Sequence, residues 1–183
     1  MQQKSQFIVT ILHEPQLLIF DEPFSGFDPI NANLLKNEIL SLKEKGATII
    51  FSTHNMGSVE ELCDNIALIH KSKKVLEGST KQIREQYKSN EYRVEYSGSP
   101  DELKNVLNGR FHIIDDQTIE NHHSAKIRIN KEFSSNDLLE ALISTVTVKS
   151  FNEIIPSMND VFIKVVEETD MADKKELENL ILQ

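Results

Sequence analysis

Several features that mark large protein classes are scarce or missing in this 183-residue sequence. Cysteine occurs once, as Cys63, so no disulfide can form within the chain, and a reducing compartment suits it. No apolar run approaches the roughly 18–20 residues that a membrane-spanning helix needs. Hydrophobic residues make up 39%, enough for a folded core and too few for a membrane protein. Met1-Gln2-Gln3-Lys4 leads into an amphipathic stretch instead of the apolar segment of a secretion signal. The pattern Gly-x-x-x-x-Gly-Lys-Ser/Thr, a loop whose backbone N–H groups cradle phosphates, occurs nowhere. A basic excess is also missing: the net charge is −9, which argues against non-specific binding to nucleic acid. The deficit is uneven. Residues 1–90 carry 10 basic and 11 acidic side chains, whereas residues 91–183 carry 10 and 18, an asymmetry that points to two units.

What is present centres on Leu17-Leu18-Ile19-Phe20-Asp21-Glu22-Pro23. A short apolar run bounded by turn formers predicts a strand buried on both faces, as in a parallel sheet. Asp21 and Glu22 then fall at the C-terminal strand edge, where open α/β sheets place ligands. Two acids there suit metal-assisted phosphoryl transfer, one holding Mg²⁺ and the next polarising an attacking water. An isolated Asp-Glu pair would more simply be two solvated acids. Asp28-Pro29 predicts a helix N-cap with proline at the first helical position. The stripe Ile30, Leu34, Leu35, Ile39 and Leu42 follows, and Gly46 stops the helix. A second apolar run, Thr48-Ile49-Ile50-Phe51-Ser52, ends in Thr53-His54 and completes a strand–helix–strand unit, which is parallel with a right-handed crossover. Upstream, Phe7, Ile8, Ile11 and Leu12 form the apolar face of a helix from Gln2 to His13.

The segment Leu17–Pro29 resembles the Walker B strand and D-loop of ABC-type ATPases, with Phe27 standing where leucine is usual. Ala47–His54 resembles the family's switch-histidine strand, and Met1-Gln2-Gln3-Lys4 resembles the end of its signature motif. Three matches in order and at family-like spacing are far more specific than any one of them. The resemblance implies a fold and a role for each residue. The fold is a P-loop NTPase (ABC-type) parallel sheet with helices, truncated so that the P-loop and the first signature positions are absent, followed by a small α+β ferredoxin-like domain. Asp21 would coordinate Mg²⁺, Glu22 would be the general base, and His54 would hold the γ-phosphate of ATP. Ser25, Gly26 and Asp28 would form the loop that communicates across a dimer, and Gln2 and Gln3 would border the signature facing the opposite subunit's ATP. The partners implied are a second ATP-binding subunit and membrane permease subunits, with no nucleic acid. The place implied is the cytoplasm, peripheral on the inner face of the cell membrane, and export is favoured. A truncated gene, or a start assigned at an internal Met, would account for the missing loop, and the chain alone is expected to be inactive. The other readings are a non-transport ABC ATPase of the translation or DNA-repair type, and a non-catalytic truncated interaction module. Translation members carry Asn-His ahead of the Leu-Asp of their D-loop, whereas this chain reads Phe24-Ser25-Gly26-Phe27-Asp28, and the heptad coiled coil of repair members is absent.

Further along, a short helix Met56–Leu62 precedes two strands, Ile66–His70 and Lys74–Glu77, joined by a polar turn, and a helix to about Lys88. The domains expected are 1–88 (the ABC-type portion), 89–168 (the accessory α+β unit) and 169–183 (a charged tail, helical only when docked). In the second unit, strand 92–96, a capped helix 100–107, strands 111–114 and 126–130, a helix 135–144 and a strand 146–155 give the order β-α-β-β-α-β of a ferredoxin-like sandwich. The ending Pro156-Ser157-Met158-Asn159-Asp160-Val161-Phe162-Ile163 resembles a small C-terminal domain appended to some bacterial exporter ATP-binding subunits. His112, Asp115, Asp116, His122 and His123 are metal-ligand types, but adjacent strand residues point to opposite faces and do not share an ion easily.

Overall fold

The computed structural model describes residues 2–107, 109–119 and 122–181, with side chains from 5 to 175. The chain folds as two units, Met1–Ile66 and Ala67–Gln183, each packed chiefly on itself.

The first unit holds α1 (Gln2–Ile11), β1 (Leu17–Asp21), α2 (Pro29–Glu44), β2 (Thr48–Ser52) and α3 (Met56–Leu62). β1 and β2 run parallel with Leu17 beside Thr48 and Asp21 beside Ser52. Asp28 caps α2, its side chain accepting the N–H groups of Ile30 and Asn31 at 3.1 Å each, and Pro29 follows at the first helical position. Gly46 takes φ of 97° just past the helix end, a region open to glycine at little cost. The core joins Phe7 of α1, Leu18 of β1 and Leu35, Ile39 and Leu42 of α2, and Phe7 stacks on Phe20 at 5.5 Å. The expectation of a strand buried on both faces is corrected here. Leu18 is buried, but Leu17, Ile19 and Ile50 are 53%, 69% and 55% exposed, because α1 and α2 cover one face of a two-stranded sheet. For the same reason Ile8, Leu12, Ile30 and Leu34, expected inside, are exposed.

In the second unit, β3 (Asn65–His70) and β4 (Lys73–Ser79) form a hairpin, turned at Lys71 and Ser72 with φ of 47° and 61°. Then come α4 (Thr80–Gln86), β5 (Glu91–Ser97), α5 (Pro100–Leu107), β6 (Phe111–Ile119), β7 (His122–Ile129), α6 (Ser135–Ile143), β8 (Thr147–Glu153) and α7 (Met158–Ile181). The four-stranded sheet has the order β6-β7-β5-β8, with every pair antiparallel. The first strand thus lies between the third and the fourth, which is the split βαβ arrangement of a ferredoxin-like unit. Val94, Tyr96, Ala125 and Ile127 pack against Leu103, Leu107, Leu138 and Leu142, each with no exposed surface. Each buried leucine there contributes about 1.5–3 kcal/mol of apolar burial. β6 and β7 are longer than the alternation predicts, and a bulge between Ile113 and Asp115 carries the pairing past the polar run. α7 is one helix through the segment expected as a tail. It packs on α4 and β4, and Arg84 Nε donates to the Pro156 carbonyl at 2.8 Å. This packing places β4 and α4 in the second unit, Ala67–Gln183.

Candidate functional site

The strand–helix–strand unit brings the C-terminal ends of β1 and β2 level. The Glu22 N–H donates to the Ser52 carbonyl at 2.9 Å, extending the pairing by one bond. Glu22 then turns the chain with φ of 44°, an uncommon region for a residue with a Cβ and one that costs on the order of 1–3 kcal/mol. Its carboxylate is held from three directions. Oε1 accepts the His54 backbone N–H at 2.9 Å and faces His54 Nδ1 at 2.7 Å, and Oε2 accepts the Thr53 hydroxyl at 3.0 Å. The His54 ring contact lowers the Glu22 carboxyl below its usual range. Burial pushes the other way, and the Thr53 hydroxyl and the His54 amide add to the lowering. An ionised carboxylate accepts only, so His54 Nδ1 carries the proton and Nε2 stays available to a ligand. The ring is 86% exposed.

Asp21, exposed at the end of β1, accepts the Ser52 hydroxyl. A carboxylate with open oxygen positions at a strand edge fits Mg²⁺, which takes one or two carboxylates and completes its shell with water and phosphate oxygens. The phosphate cradle itself has no counterpart in these 183 residues, which lack the glycine-rich lysine loop. The structure therefore brings Asp21, Glu22 and His54 together. Ser25 and Gly26 lie exposed on the loop that follows, where the Ser25 N–H donates to the Glu22 carbonyl at 3.1 Å. Asp28 is engaged at the α2 cap, and hydrogen bonds from the Asn31 amide and side chain hold its carboxyl low. Met1 lies outside the described residues, as do the side chains of Gln2 and Gln3. Sequence reasoning gives Ser52 and Thr53 no role of their own. Their signal is positional: in a parallel pair of equal strands, the residues ending one strand sit beside Asp-Glu at the end of the other.

Elsewhere, burial raises the Cys63 thiol, which keeps it protonated and unreactive. His123 stacks on Tyr96 at 5.2 Å and meets the Thr118 hydroxyl at 3.2 Å. Among the described residues no three His, Cys, Asp or Glu side chains cluster with metal-binding geometry. No described helix is long and apolar enough to cross a membrane.

Two acids and a histidine thus gather at the C-terminal edge of parallel strands, where open α/β sheets place ligands. Residues 78–166 match the family described as "ATP-binding protein DrrA1-3-like, C-terminal domain", and residues 1–60 match an AAA domain. The ABC transporter ATP-binding protein YhaQ of Bacillus subtilis, itself uncharacterized, is 39% identical over 165 residues, covering 90% of this chain and 53% of that protein. An uncharacterized ABC transporter ATP-binding protein of Alkalihalophilus pseudofirmus is 34% identical over 165 residues, covering 90% of this chain and 60% of that one. The "Fluoroquinolones export ATP-binding protein" of Mycobacterium tuberculosis is 34% identical over 142 residues, covering 75% of this chain and 47% of its own length. Over most of its length the chain is similar to ABC transporter ATP-binding proteins, and it spans about half the length of the curated relatives it matches.

Proposed function

We propose that this chain supplies the water-activating side of an ATP site in a subunit that powers membrane export. The observation that carries the reading is the meeting of Glu22 with His54 beside Asp21 at one strand edge. Glu22 orients and deprotonates the attacking water, His54 holds the γ-phosphate in line, and Asp21 holds Mg²⁺. The metal, when bound, neutralises charge developing on the phosphate oxygens. Ser25, Gly26 and Asp28 form the loop facing a second ATP-binding subunit, and Gln2 and Gln3 border the surface that meets its nucleotide. Membrane permease chains are the further partners, and the subunit works in the cytoplasm against the inner membrane face. Export is favoured by the names of relatives for fluoroquinolones and, at 30% identity over 174 residues, for bacitracin in Enterococcus faecalis. The ferredoxin-like unit gives regulation or dimer support and adds no catalytic group.

By itself the chain hydrolyses no ATP, since phosphate binding in this fold rests on a glycine-rich loop and its lysine. Two measurements test the reading: the DNA upstream of the Met1 codon is sequenced, and phosphate release with Mg-ATP is followed for the chain and for any longer frame. An in-frame P-loop and hydrolysis only by the longer subunit are expected. Release by the 183-residue chain that vanishes in Glu22→Gln overturns the expected inactivity.

A further inference from the structure

The carboxylate of Glu22 has two holders of different character. His54 reaches Oε1 through a ring that is 86% exposed. Thr53 reaches Oε2 from a half-buried position. A hydroxyl can rotate, so a single hydrogen bond to it does not fix where its proton points. Here a second bond does. The Asn55 N–H donates to Thr53 Oγ1 at 3.1 Å and occupies a lone pair, which leaves the hydroxyl proton for Glu22 Oε2 at 3.0 Å. Asn55 is in turn fixed as the N-cap of α3, its Oδ1 accepting the Ser58 N–H at 3.0 Å. Thr53 is also β-branched, which stiffens its χ1. The relay from the α3 cap through Asn55 and Thr53 to Glu22 thus consists of short, locally determined links. A histidine ring that turns towards a phosphate gives up part of its hold on Glu22, whereas the Thr53 bond and the His54 backbone N–H need not move.

From this geometry we infer that Thr53 is a positioning residue: it orients the Glu22 carboxylate towards the attacking water and keeps it oriented while His54 serves the nucleotide. The inference rests on Glu22 being the general base. Thr53 touches no reacting atom and acts only through Glu22.

The test is a double-mutant cycle in the longest frame that hydrolyses ATP, comparing wild type, Thr53→Val, Thr53→Ser, Glu22→Gln and Glu22→Gln/Thr53→Val. Thr53→Val keeps the β-branched shape and removes the donor. It should lower kcat roughly 10- to 100-fold, the scale of a misplaced catalytic group, with KM for ATP little changed. Thr53→Ser should recover most of the loss. In the Glu22→Gln background, where residual turnover is read in single-turnover mode, adding Thr53→Val should cost nothing more. Undiminished kcat in Thr53→Val, with Glu22→Gln inactive, overturns the Thr53 inference alone. A full additional loss in the double variant also overturns it, by showing an effect that bypasses Glu22. Normal turnover in Glu22→Gln instead removes the general-base reading, and the Thr53 inference with it. A Thr53→Val protein that fails to fold leaves the decision to Thr53→Ala, read against Thr53→Ser by the same split.

Discussion

One oxygen of Glu22 meets His54 twice, at 2.7 Å to the ring and 2.9 Å to the backbone N–H. Ring and backbone of one residue thus clamp the carboxylate of another across two parallel strands. Glu22→Gln keeps the shape and the amide contact but loses the charge that a base needs. In a hydrolysis-competent frame the variant should bind Mg-ATP normally and lose about 10²–10⁴-fold in turnover, the usual worth of general-base assistance. Steady-state phosphate release at near the wild-type rate would move the base role elsewhere.

A second expectation concerns Glu91, which is 5% exposed at the start of β5. Its Oε1 accepts Arg128 Nη2 at 2.5 Å and Nε at 3.1 Å, and Lys126 Nζ lies 2.6 Å from Oε2. Burial pushes this carboxyl up, yet the two cations outweigh it and leave it below the usual range. Replacement by glutamine leaves two cations facing a neutral amide. Because both cations keep contact with solvent, the expected loss is about 1.5–3 kcal/mol, the range for a hydrogen bond to a charged group. Urea unfolding of the second unit, followed by near-ultraviolet circular dichroism, measures it. An unchanged midpoint would mean that the pair adds nothing net.

Acid should weaken the second unit in a defined window. Asp137 is held low by the Ser134 hydroxyl and then the Ser134 amide, Asp160 by the same two groups of Ser157, and Glu91 by its cations. A carboxyl lower in the folded state than in the unfolded chain stabilises the fold above its unfolded pKa, near 4. That contribution disappears as pH falls through the folded value. The urea midpoint should therefore drop progressively below about pH 4.5. Stability that holds level down to pH 3 would contradict the assignment.

The second half of α7 should be separable from the first. Met158, Val161 and Val165 are buried, but further along the contacts are ionic: Asp170 lies 2.8 Å from both His70 Nε2 and Lys71 Nζ, and Asp173 lies 3.6 Å from Lys73 Nζ. Surface pairs of this kind are worth about 0–1 kcal/mol each and are screened by salt. Asp170→Asn should leave the melting temperature nearly unchanged while speeding amide exchange after Thr169, and 1 M salt should do the same to the wild type. Unaltered exchange in both cases would show that the helix is held by something else.

Much of this was legible in the sequence, for identifiable reasons. Asp28-Pro29 and Gly46 mark the ends of α2 because caps are local chemistry. The order of the ferredoxin-like unit follows from alternating strands and capped helices. Burial was less legible. An unbroken apolar run says that a strand can be covered twice, not that it is, and Leu17 and Ile19 stay exposed. The ends of β6 and β7 were hidden because Asp115, Asp116 and Gln117 break the alternation that the bulge beside Asp115 restores. Asp21 and Glu22 could be named from residue type at a strand end, and His54 from the resemblance of Ala47–His54 to the switch-histidine strand of ABC-type ATPases. Thr53 could not, since its part depends on the register between two strands and on the cap of a third element.

The sheet order has a consequence for the time course of synthesis. β5 emerges from the ribosome first among the four strands, yet both of its neighbours, β7 and β8, are made later. Until residues to about Glu153 have left the tunnel, Val94 and Tyr96 lack the partners that enclose them. Folding of this unit therefore waits for its last strand, with non-local pairing as its slow step. A nascent chain stalled before β8 will present a half-made sheet to chaperones and proteases, however sound the finished fold.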